Sequence, residues 1–213
     1  MKKWLEKFAV PSGMKGRFAL AMMNFCHTPL SKWGLSHCKW RSDMKLLDIG
    51  CGGGANLKRL LKLCPEGSVE GIDISEESVR KSRKLNCCGQ GKRCRVLQAD
   101  AAAVPCACEE FDVVTAFETI YFWNDTPACL AEIMRVLKPG GEFMAVCEIC
   151  RRRPVWQKLT GGLNIYTPSE LEGLFAGAGF ENIRADVSGM GWLCMTGFKP
   201  PRAENESAFA ESC

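Results

Sequence analysis

The spacing of hydrophobic positions changes near residue 45. Before it, Phe18, Met22 and Phe25 recur at helical intervals, which predicts helix within residues 1–40. After it, short apolar runs alternate with amphipathic stretches, a pattern typical of βαβ units around a parallel sheet. The apolar runs predict five strands, at residues 45–49, 68–73, 94–98, 111–116 and 142–147. The stretches between them predict helices at residues 55–63, 76–86 and 126–137.

The pattern beyond residue 154 predicts one more helix and two more strands. Thr167 followed by Glu170 is typical of a capping box, and the helix is expected to run to about residue 178. The two strands are predicted at residues 181–187 and 192–199. Residues 200–213 are predicted to be a disordered tail.

Two smaller signals concern the ends of elements. Ser75 is expected to cap the second helix of the βαβ part. Pro139, Gly140 and Gly141 predict a tight turn into the fifth strand.

Length and charge narrow the class of protein. A chain of 213 residues suits one α/β domain, and the hydrophobic fraction of 46% is ordinary for a globular protein. The net charge of +4 is spread along the chain, so nucleic acid is not the expected partner. We find no targeting signal and no apolar run near the ~20 residues of a membrane span, which predicts a cytoplasmic protein.

Cysteine is abundant, with 14 residues. Without a signal sequence, reduced thiols are the expected state. Cys147 and Cys150 form the one CxxC spacing, and no second pair completes a zinc site, so no metal is predicted. The role of the cysteines stays open at this stage.

A glycine-rich loop between the first strand and the first helix of the βαβ part carries the strongest chemical signal. It covers residues 48–54, with the sequence DIGCGGG. Glycines let the backbone adopt positive φ and approach a ligand closely, and the following helix offers free N–H groups. Such a turn lies at the carboxyl ends of the strands, where open α/β sheets bind ligands.

The loop alone fits two cofactors. Gly50, Gly52 and Ala55 satisfy the dinucleotide pattern GxGxxG/A, and Asp73 at the end of the second strand would accept ribose hydroxyls in either case. Asp48, two residues before the first glycine, is poorly placed beside a pyrophosphate. It is tolerable beside S-adenosylmethionine (SAM), which carries an ammonium and a sulfonium and has no phosphate.

Five segments together resemble the class I SAM-dependent methyltransferases, in particular the methyltransferase type 11 group that includes the ubiquinone-biosynthesis C-methyltransferases. Their order and spacing match over about residues 45–147, with a looser match to about residue 199. The segments are LLDIGCGGG (residues 46–54), VEGIDIS (69–75), QADA (98–101), FDVV (111–114) and RVLKPGG (135–141).

This resemblance implies a fold and a cofactor site. The fold is a Rossmann-like seven-stranded sheet of order 3-2-1-4-5-7-6, with strand 7 antiparallel. It implies an N-terminal helical lid at residues 1–40 and a methyltransferase domain at residues 41–199. The implied cofactor contacts run from the methionine end to the adenine and the substrate mouth; they are Asp48, Gly50, Cys51 and Gly52, then Asp73 and Ile74, then Asp100 and Ala101, and Glu118.

Several of these residues have structural alternatives. Asp73 also suits a helix entry, and Asp100 also suits the cap of a turn before Pro105. Tyr121 and Trp123 follow Glu118 in an aromatic-rich loop that either lines the substrate pocket or packs in the core.

The sequence does not settle the catalytic group. His27, three residues after Asn24 on one helix face, is a candidate base, with Tyr121 as the other candidate. The favoured function is methyl transfer from SAM to a small molecule. A non-catalytic SAM-binding protein and an NAD-linked oxidoreductase stay open as alternatives, and the acceptor and the oligomeric state are not readable.

Overall fold

The computed structural model describes residues 28–86, 93–148 and 163–202. Strands and helices alternate along most of the chain. The strands are β1 (Lys45–Ile49), β2 (Ser68–Asp73), β3 (Cys94–Gln98), β4 (Phe111–Phe117), β5 (Leu137–Cys147), β6 (Glu181–Val187) and β7 (Leu193–Phe198). The helices are α1 (Thr28–Leu35), α2 (Ala55–Leu63), α3 (Glu76–Asn86), α4 (Thr126–Val136) and α5 (Pro168–Gly177).

The seven strands form one sheet in the order β3-β2-β1-β4-β5-β7-β6. β1 pairs in parallel with β2 and β4, and β7 pairs antiparallel with β5 and β6. The predicted fold class is therefore confirmed, including the reversed strand 7. Because β1 is central, the loop that follows it emerges at the middle of the carboxyl-terminal edge, where open α/β sheets bind ligands.

Helices cover both faces of the sheet over two hydrophobic layers. One layer joins α2 and α3 to the sheet through residues such as Leu57, Leu60 and Val79. The other joins α4 and α5 through residues such as Leu130, Ile133 and Phe175. Burial on both faces explains why the inner strands read as nearly continuous apolar runs.

Helix caps follow the sequence closely. The Thr167 hydroxyl accepts the Glu170 N–H at 3.3 Å, and the Glu170 carboxylate accepts the Thr167 N–H at 2.9 Å. This confirms the predicted capping box. The Ser78 N–H donates to the Ser75 hydroxyl at 3.3 Å, which confirms the Ser75 cap.

The turn predicted before the fifth strand is wrong in its position. β5 begins at Leu137, and residues 139–141 form an irregularity within it rather than a turn before it. Phe111 pairs with Leu137 and Val113 pairs with Glu142, so the β5 side carries extra residues there. Gly140 has a φ of 75° and donates its N–H to the Lys199 carbonyl at 2.9 Å. The bulge is therefore held by the chain that leaves β7.

The predicted N-terminal lid is described only from residue 28. α1 packs close to the sheet, since a Cβ on Gly34 would lie 2.6 Å from a Val146 methyl. The remaining lid residues and residues 203–213 lie outside the described part of the chain, so the boundaries of the lid and tail stay predictions. Within the described ranges, no helix is long and apolar enough to cross a membrane.

The cysteines depart in one place from the reduced state expected of them. Eight in the described ranges form no disulfide, and most of these are buried. Cys108 is disulfide-bonded, so the expectation is wrong for that residue. Cys147 is a buried, reduced thiol, while Cys150, its CxxC partner in sequence, lies outside the described residues.

Candidate functional site

A cleft opens at the carboxyl-terminal edge of the sheet, between the loops that follow β1, β2, β3 and β4. Its empty space, counting the part open to solvent, is about 550 Å³. It is lined by residues from each of these loops and strand ends: Ile49, Gly50, Ile72, Asp73, Ile74, Ala99, Asp100, Ala101, Thr119, Phe122, Trp123 and Asn124.

A larger cavity lies at the opposite edge, near the starts of β4 and β5. Its empty space is about 1390 Å³, and charged side chains such as Arg41, Asp112 and Lys138 line it. Asp112 already accepts the Lys138 ammonium at 2.9 Å, so these charges largely satisfy one another. Of these two cavities of the described chain, we take the smaller cleft as the site because Gly50 of the glycine-rich loop and the strand-end acids Asp73 and Asp100 line it.

Two glycines of the loop have different reasons to be glycine. Gly50 has a φ of 67°, and a Cβ there would lie 2.1 Å from the Thr119 hydroxyl oxygen. Gly52 has a φ of 51°, and a Cβ there would meet no atom within 4 Å. Gly50 thus permits the loop after β4 to pack against the glycine-rich loop. Gly52 leaves an open cradle beside the cleft.

Asp73 ties the glycine-rich loop to the end of β2. One carboxylate oxygen accepts the Gly52 N–H at 2.8 Å, and the other accepts the Ser75 N–H at 2.9 Å. Burial raises the pKa of the Asp73 carboxyl, and these two backbone hydrogen bonds oppose that rise. The carboxylate lines the cleft, so it is available to a ligand while it shapes the loop.

Asp48 lies behind the loop and not in the cleft lining. Its side chain is 1% exposed and accepts the Thr115 hydroxyl at 2.7 Å. Burial raises the pKa of the Asp48 carboxyl to about 7. The hydrogen bond from Thr115 lowers this pKa, and the negative charge of Asp73 raises it further. The position of Asp48 indicates that it supports the loop from below.

The residues predicted to hold the adenine form one wall of the cleft, which is partly apolar and partly acidic. Ile74 is 53% exposed and lines the cleft, as do Asp100 and Ala101. An Asp100 carboxylate oxygen accepts the Ala102 N–H at 2.9 Å, so the alternative interpretation as a turn cap also describes this residue. An exposed isoleucine beside an acid suits a flat, partly polar ring.

Glu118 stands at the end of β4 in a conformation that non-glycine residues seldom adopt, with a φ of 57°. Its carboxylate accepts the Tyr121 hydroxyl at 3.1 Å and the Glu148 N–H. Burial raises the pKa of the Glu118 carboxyl from 4.5 to about 8, while these hydrogen bonds lower it. Backbone strain and a perturbed carboxyl at one residue are typical of functional sites.

The aromatic loop divides its side chains between the core and the cleft. A 3-10 turn covers Ile120–Phe122. Phe122 and Trp123 line the cleft, whereas Tyr121 is buried and reaches Glu118 instead. Trp123 is among the residues that line the cleft and Tyr121 is not, so a role of either ring towards a substrate stays a prediction.

A distant segment holds this turn in place. The Asn164 side chain donates to the Trp123 carbonyl at 2.6 Å, and the Asn164 N–H donates to the Tyr121 carbonyl at 3.0 Å. The hydroxyls of Thr126 and Tyr166 lie 2.8 Å apart. The sequence interpretation missed Asn164, Thr115 and Thr119, because polar residues paired across 40 or more positions leave no local signal.

Other predicted residues lie elsewhere. Cys51 lies in the loop, but its thiol is buried 3.9 Å from the Ser82 hydroxyl, and the residue is not part of the cleft lining. His27, the candidate base, and Asn24 fall outside the described residues. His37 is bonded to the Trp33 carbonyl at 2.8 Å and lines the opposite cavity. Among the described residues, no group of His, Cys, Asp or Glu is arranged to hold a metal.

The cleft fits the cofactor that the resemblance implies. The Gly52 cradle gives room for a ligand against the backbone, Asp73 offers oxygens to ribose hydroxyls, and Ile74 offers an apolar surface. The lining contains Asp73 and Asp100 and no lysine or arginine. A pyrophosphate would find little favourable charge there, whereas SAM has no phosphate.

Sequence comparison identifies a known domain across the cleft-forming part of the chain. Residues 47–145 match a family described as a methyltransferase domain. The chain is 38% identical over 111 residues to cycloartenol-C-24-methyltransferase 1 of Oryza sativa subsp. japonica, covering 52% of this chain and 32% of that protein. It is 32% identical over 142 residues to the ubiquinone/menaquinone biosynthesis C-methyltransferase UbiE of Burkholderia orbicola, covering 66% of this chain and 56% of that protein.

Structural comparison gives the same fold. The methyltransferase in the complex with the Haloferax volcanii Trm112 activator has a TM-score of 0.78 at 21% identity, over 86% of this chain and 94% of that chain. Haemonchus contortus phosphoethanolamine N-methyltransferase 2, solved with S-adenosyl-L-methionine, has a TM-score of 0.72 at 15% identity. The match covers 81% of this chain and 53% of that chain. The chain spans about a third to somewhat over half the length of the two sequence relatives named above.

Proposed function

We propose that this chain is a SAM-dependent methyltransferase of the type 11 family that transfers a methyl group from SAM to a small-molecule acceptor, because residues 47–145 match a methyltransferase domain. The observation that carries the proposal is the cleft itself. The Gly52 cradle, the Asp73 carboxylate and the exposed Ile74 meet at one edge of the sheet. Each offers what a different part of SAM requires.

The proposed cofactor contacts run along the cleft. Gly50, Cys51 and Gly52 contribute backbone to the methionine end, and Asp48 supports them from below through Thr115. Asp73 binds the ribose hydroxyls, and Ile74 packs beside the adenine. Asp100 and the Ala101 backbone bind the adenine edge, and Glu118 borders the methionine end at the substrate mouth.

The protein's task in such a reaction is mainly alignment. When bound, SAM supplies a methyl group already activated by its sulfonium. Holding acceptor and donor in line supplies roughly 7–11 kcal/mol of barrier lowering in favourable cases. Phe122 and Trp123 line the cleft and exclude water from it, and Asn164 fixes the turn that carries them.

Glu118 is the described group best suited to move a proton. Its pKa of about 8 lies close to neutral pH, which is where a general acid or base is most effective. We therefore rank Glu118 above Tyr121, whose hydroxyl serves to orient it, as the group that takes a proton from an acceptor that must lose one. His27 stays a second candidate.

Two relatives carry carbon methylation in their names, which favours a carbon acceptor over oxygen or nitrogen. We propose an apolar small molecule as the acceptor because aromatic rings line the cleft opening. Nucleic acid is not the proposed partner, and a cytoplasmic location stays the prediction from the sequence.

Calorimetric titration of the protein with S-adenosylhomocysteine and with NAD tests the cofactor. We expect S-adenosylhomocysteine to bind and NAD not to bind. Asp73→Ala is expected to weaken S-adenosylhomocysteine about 10- to 100-fold with an unchanged circular dichroism spectrum, because charged hydrogen bonds contribute about 1.5–3 kcal/mol. Binding of NAD alone would overturn the proposal and favour an oxidoreductase.

Turnover separates an enzyme from a protein that only binds SAM. Incubation with methyl-labelled SAM and a panel of apolar metabolites is expected to label at least one of them. Tight binding of S-adenosylhomocysteine without labelling of any extractable small molecule would favour the non-catalytic alternative.

A further inference from the structure

The described lining of the cofactor cleft offers no cationic partner to one group of the proposed ligand. The methionine part of SAM ends in an ammonium and a carboxylate. The described lining contains the acids Asp73 and Asp100 and no lysine or arginine. A ligand carboxylate placed among these acids requires a cation close to the glycine-rich loop, because like charges at short range are costly.

Arg59 of α2 is placed to supply that cation. One of its guanidinium nitrogens donates to the Asn56 side-chain oxygen at 2.9 Å, and another donates to the Thr28 hydroxyl at 2.8 Å. Asn56 is the second residue of α2, directly after the glycine-rich loop. The guanidinium therefore lies at the level of the first turn of α2, on the side that meets the start of α1.

The described surroundings of Arg59 supply no counter-ion for its charge. Among the described residues no carboxylate forms an ion pair with it, and its two hydrogen bonds leave part of its five N–H donors unassigned. Burial lowers the pKa of the Arg59 guanidinium below its ordinary value. An anion bound here would remove that electrostatic cost.

Arg93 shows what an arginine with a structural role looks like in this chain. It also lacks a carboxylate partner in the described part of the chain, but its guanidinium donates to three backbone carbonyls. These belong to Gly67, Leu61 and Cys64, at 3.0–3.1 Å. Arg59 instead touches two neutral side-chain oxygens at the edge that holds the cofactor cleft.

We propose that Arg59 binds the carboxylate of the methionine part of the cofactor. The inference rests on the proposed function, since it needs SAM in the cleft. It adds a cation from α2 to a site whose other contacts come from strand ends and loops. Thr28 and Asn56 are positioning residues that hold the guanidinium beside the loop.

Two ligands that differ at the amino acid end test the proposal by calorimetry. S-adenosylhomocysteine carries the carboxylate, and 5′-methylthioadenosine keeps the adenosine and sulfur but lacks the amino acid group. Arg59→Gln is expected to weaken S-adenosylhomocysteine about 10- to 100-fold, as for loss of a charged hydrogen bond. It is expected to leave 5′-methylthioadenosine binding within about twofold of wild type.

Lys58→Gln is the matched control, because Lys58 is the adjacent residue and is exposed. It removes the same charge from the same helix and is expected to leave both affinities unchanged. Arg59→Lys is expected to recover part of the S-adenosylhomocysteine affinity, because it restores the charge without the planar donor pair.

The outcomes separate this proposal from the proposed function. Equal weakening of both ligands by Arg59→Gln would assign Arg59 a structural role and overturn the inference. Unchanged affinity for S-adenosylhomocysteine would overturn it as well. If the wild-type protein binds neither ligand, the proposed function fails before Arg59 is tested.

Discussion

The two sides of the cleft are built in different ways. The proposed donor side is the loop after β1 with Asp73, where backbone N–H groups of Gly52 and Ser75 meet one carboxylate within 25 residues of sequence. The proposed acceptor side is the turn after β4, which Asn164 contacts from 41 residues away. A site that is built from backbone N–H groups of one short motif suits a cofactor that many enzymes share. A site that depends on side chains from distant segments suits an acceptor that differs among those enzymes.

The two sides meet at Gly50, so its substitution should have the largest effect. In Gly50→Ala the new Cβ would collide with Thr119, in a φ that costs an alanine roughly 1–2 kcal/mol. With about 1–3 kcal/mol more for overpacking, the free energy of unfolding should fall by roughly 2–5 kcal/mol. Denaturant unfolding measures this loss.

Gly52→Ala is the matched variant, because Gly52 shares the positive φ but has open space around it. It should cost only the conformational part in stability, about 1–2 kcal/mol. It should nevertheless weaken S-adenosylhomocysteine, since its methyl group fills the cradle. Equal unfolding energies for the two variants would show that Gly50 does not join the two sides.

Asn164 tests whether the acceptor side depends on its distant support. Asn164→Ala removes the side-chain donor to the Trp123 carbonyl and should cost about 1–2 kcal/mol of stability. S-adenosylhomocysteine affinity should change less than the rate of methyl transfer, because the loop after β1 is untouched. Asn164→Asp keeps the shape without the donor and should behave in the same way.

A wild-type rate of methyl transfer in both Asn164 variants would show that the turn holds its position without this contact. A loss of cofactor affinity as large as the loss of rate would show that the two sides are not separable.

Glu118 gives a pH-dependent test of the acceptor side. Its pKa in the folded chain is about 8, above its ordinary value of 4.5, so between these values the folded chain keeps a proton that the unfolded chain has lost. Stability from this group is therefore full below pH 4.5 and declines as the pH rises towards 8. Glu118→Gln should remove that decline, which unfolding at pH 4.5 and at pH 8.5 would show.

Tyr121→Phe should have a smaller effect, which is a shift in the pKa of Glu118. The Tyr121 hydroxyl stabilises the ionised carboxylate, so its loss should raise the pKa of Glu118 by about half a unit to one unit. Carbon-13 NMR titration of labelled glutamate would measure the shift. A Glu118 pKa near 4.5 in the wild-type protein would contradict the buried position of this carboxyl.

The same contrast explains what the sequence allowed us to predict. β1, β2, β3, α2 and α3 have the predicted bounds, because apolar runs and caps are local signals. Motif residues such as Gly50 and Asp73 were predicted to share one site, and both line the cleft. The Asn164 and Thr115 contacts could not be predicted, since each joins residues brought together only by the folded sheet. The burial of Tyr121 could not be predicted either, because an aromatic run does not show which ring packs in the core.

A crystal structure of the complex with S-adenosylhomocysteine tests the central claim most directly. We predict the ligand in the cleft at the carboxyl-terminal edge, with its ribose on Asp73 and its amino acid end beside Gly52. Ligand density in the cavity lined by Arg41, Asp112 and Lys138, at the opposite edge, would contradict the account.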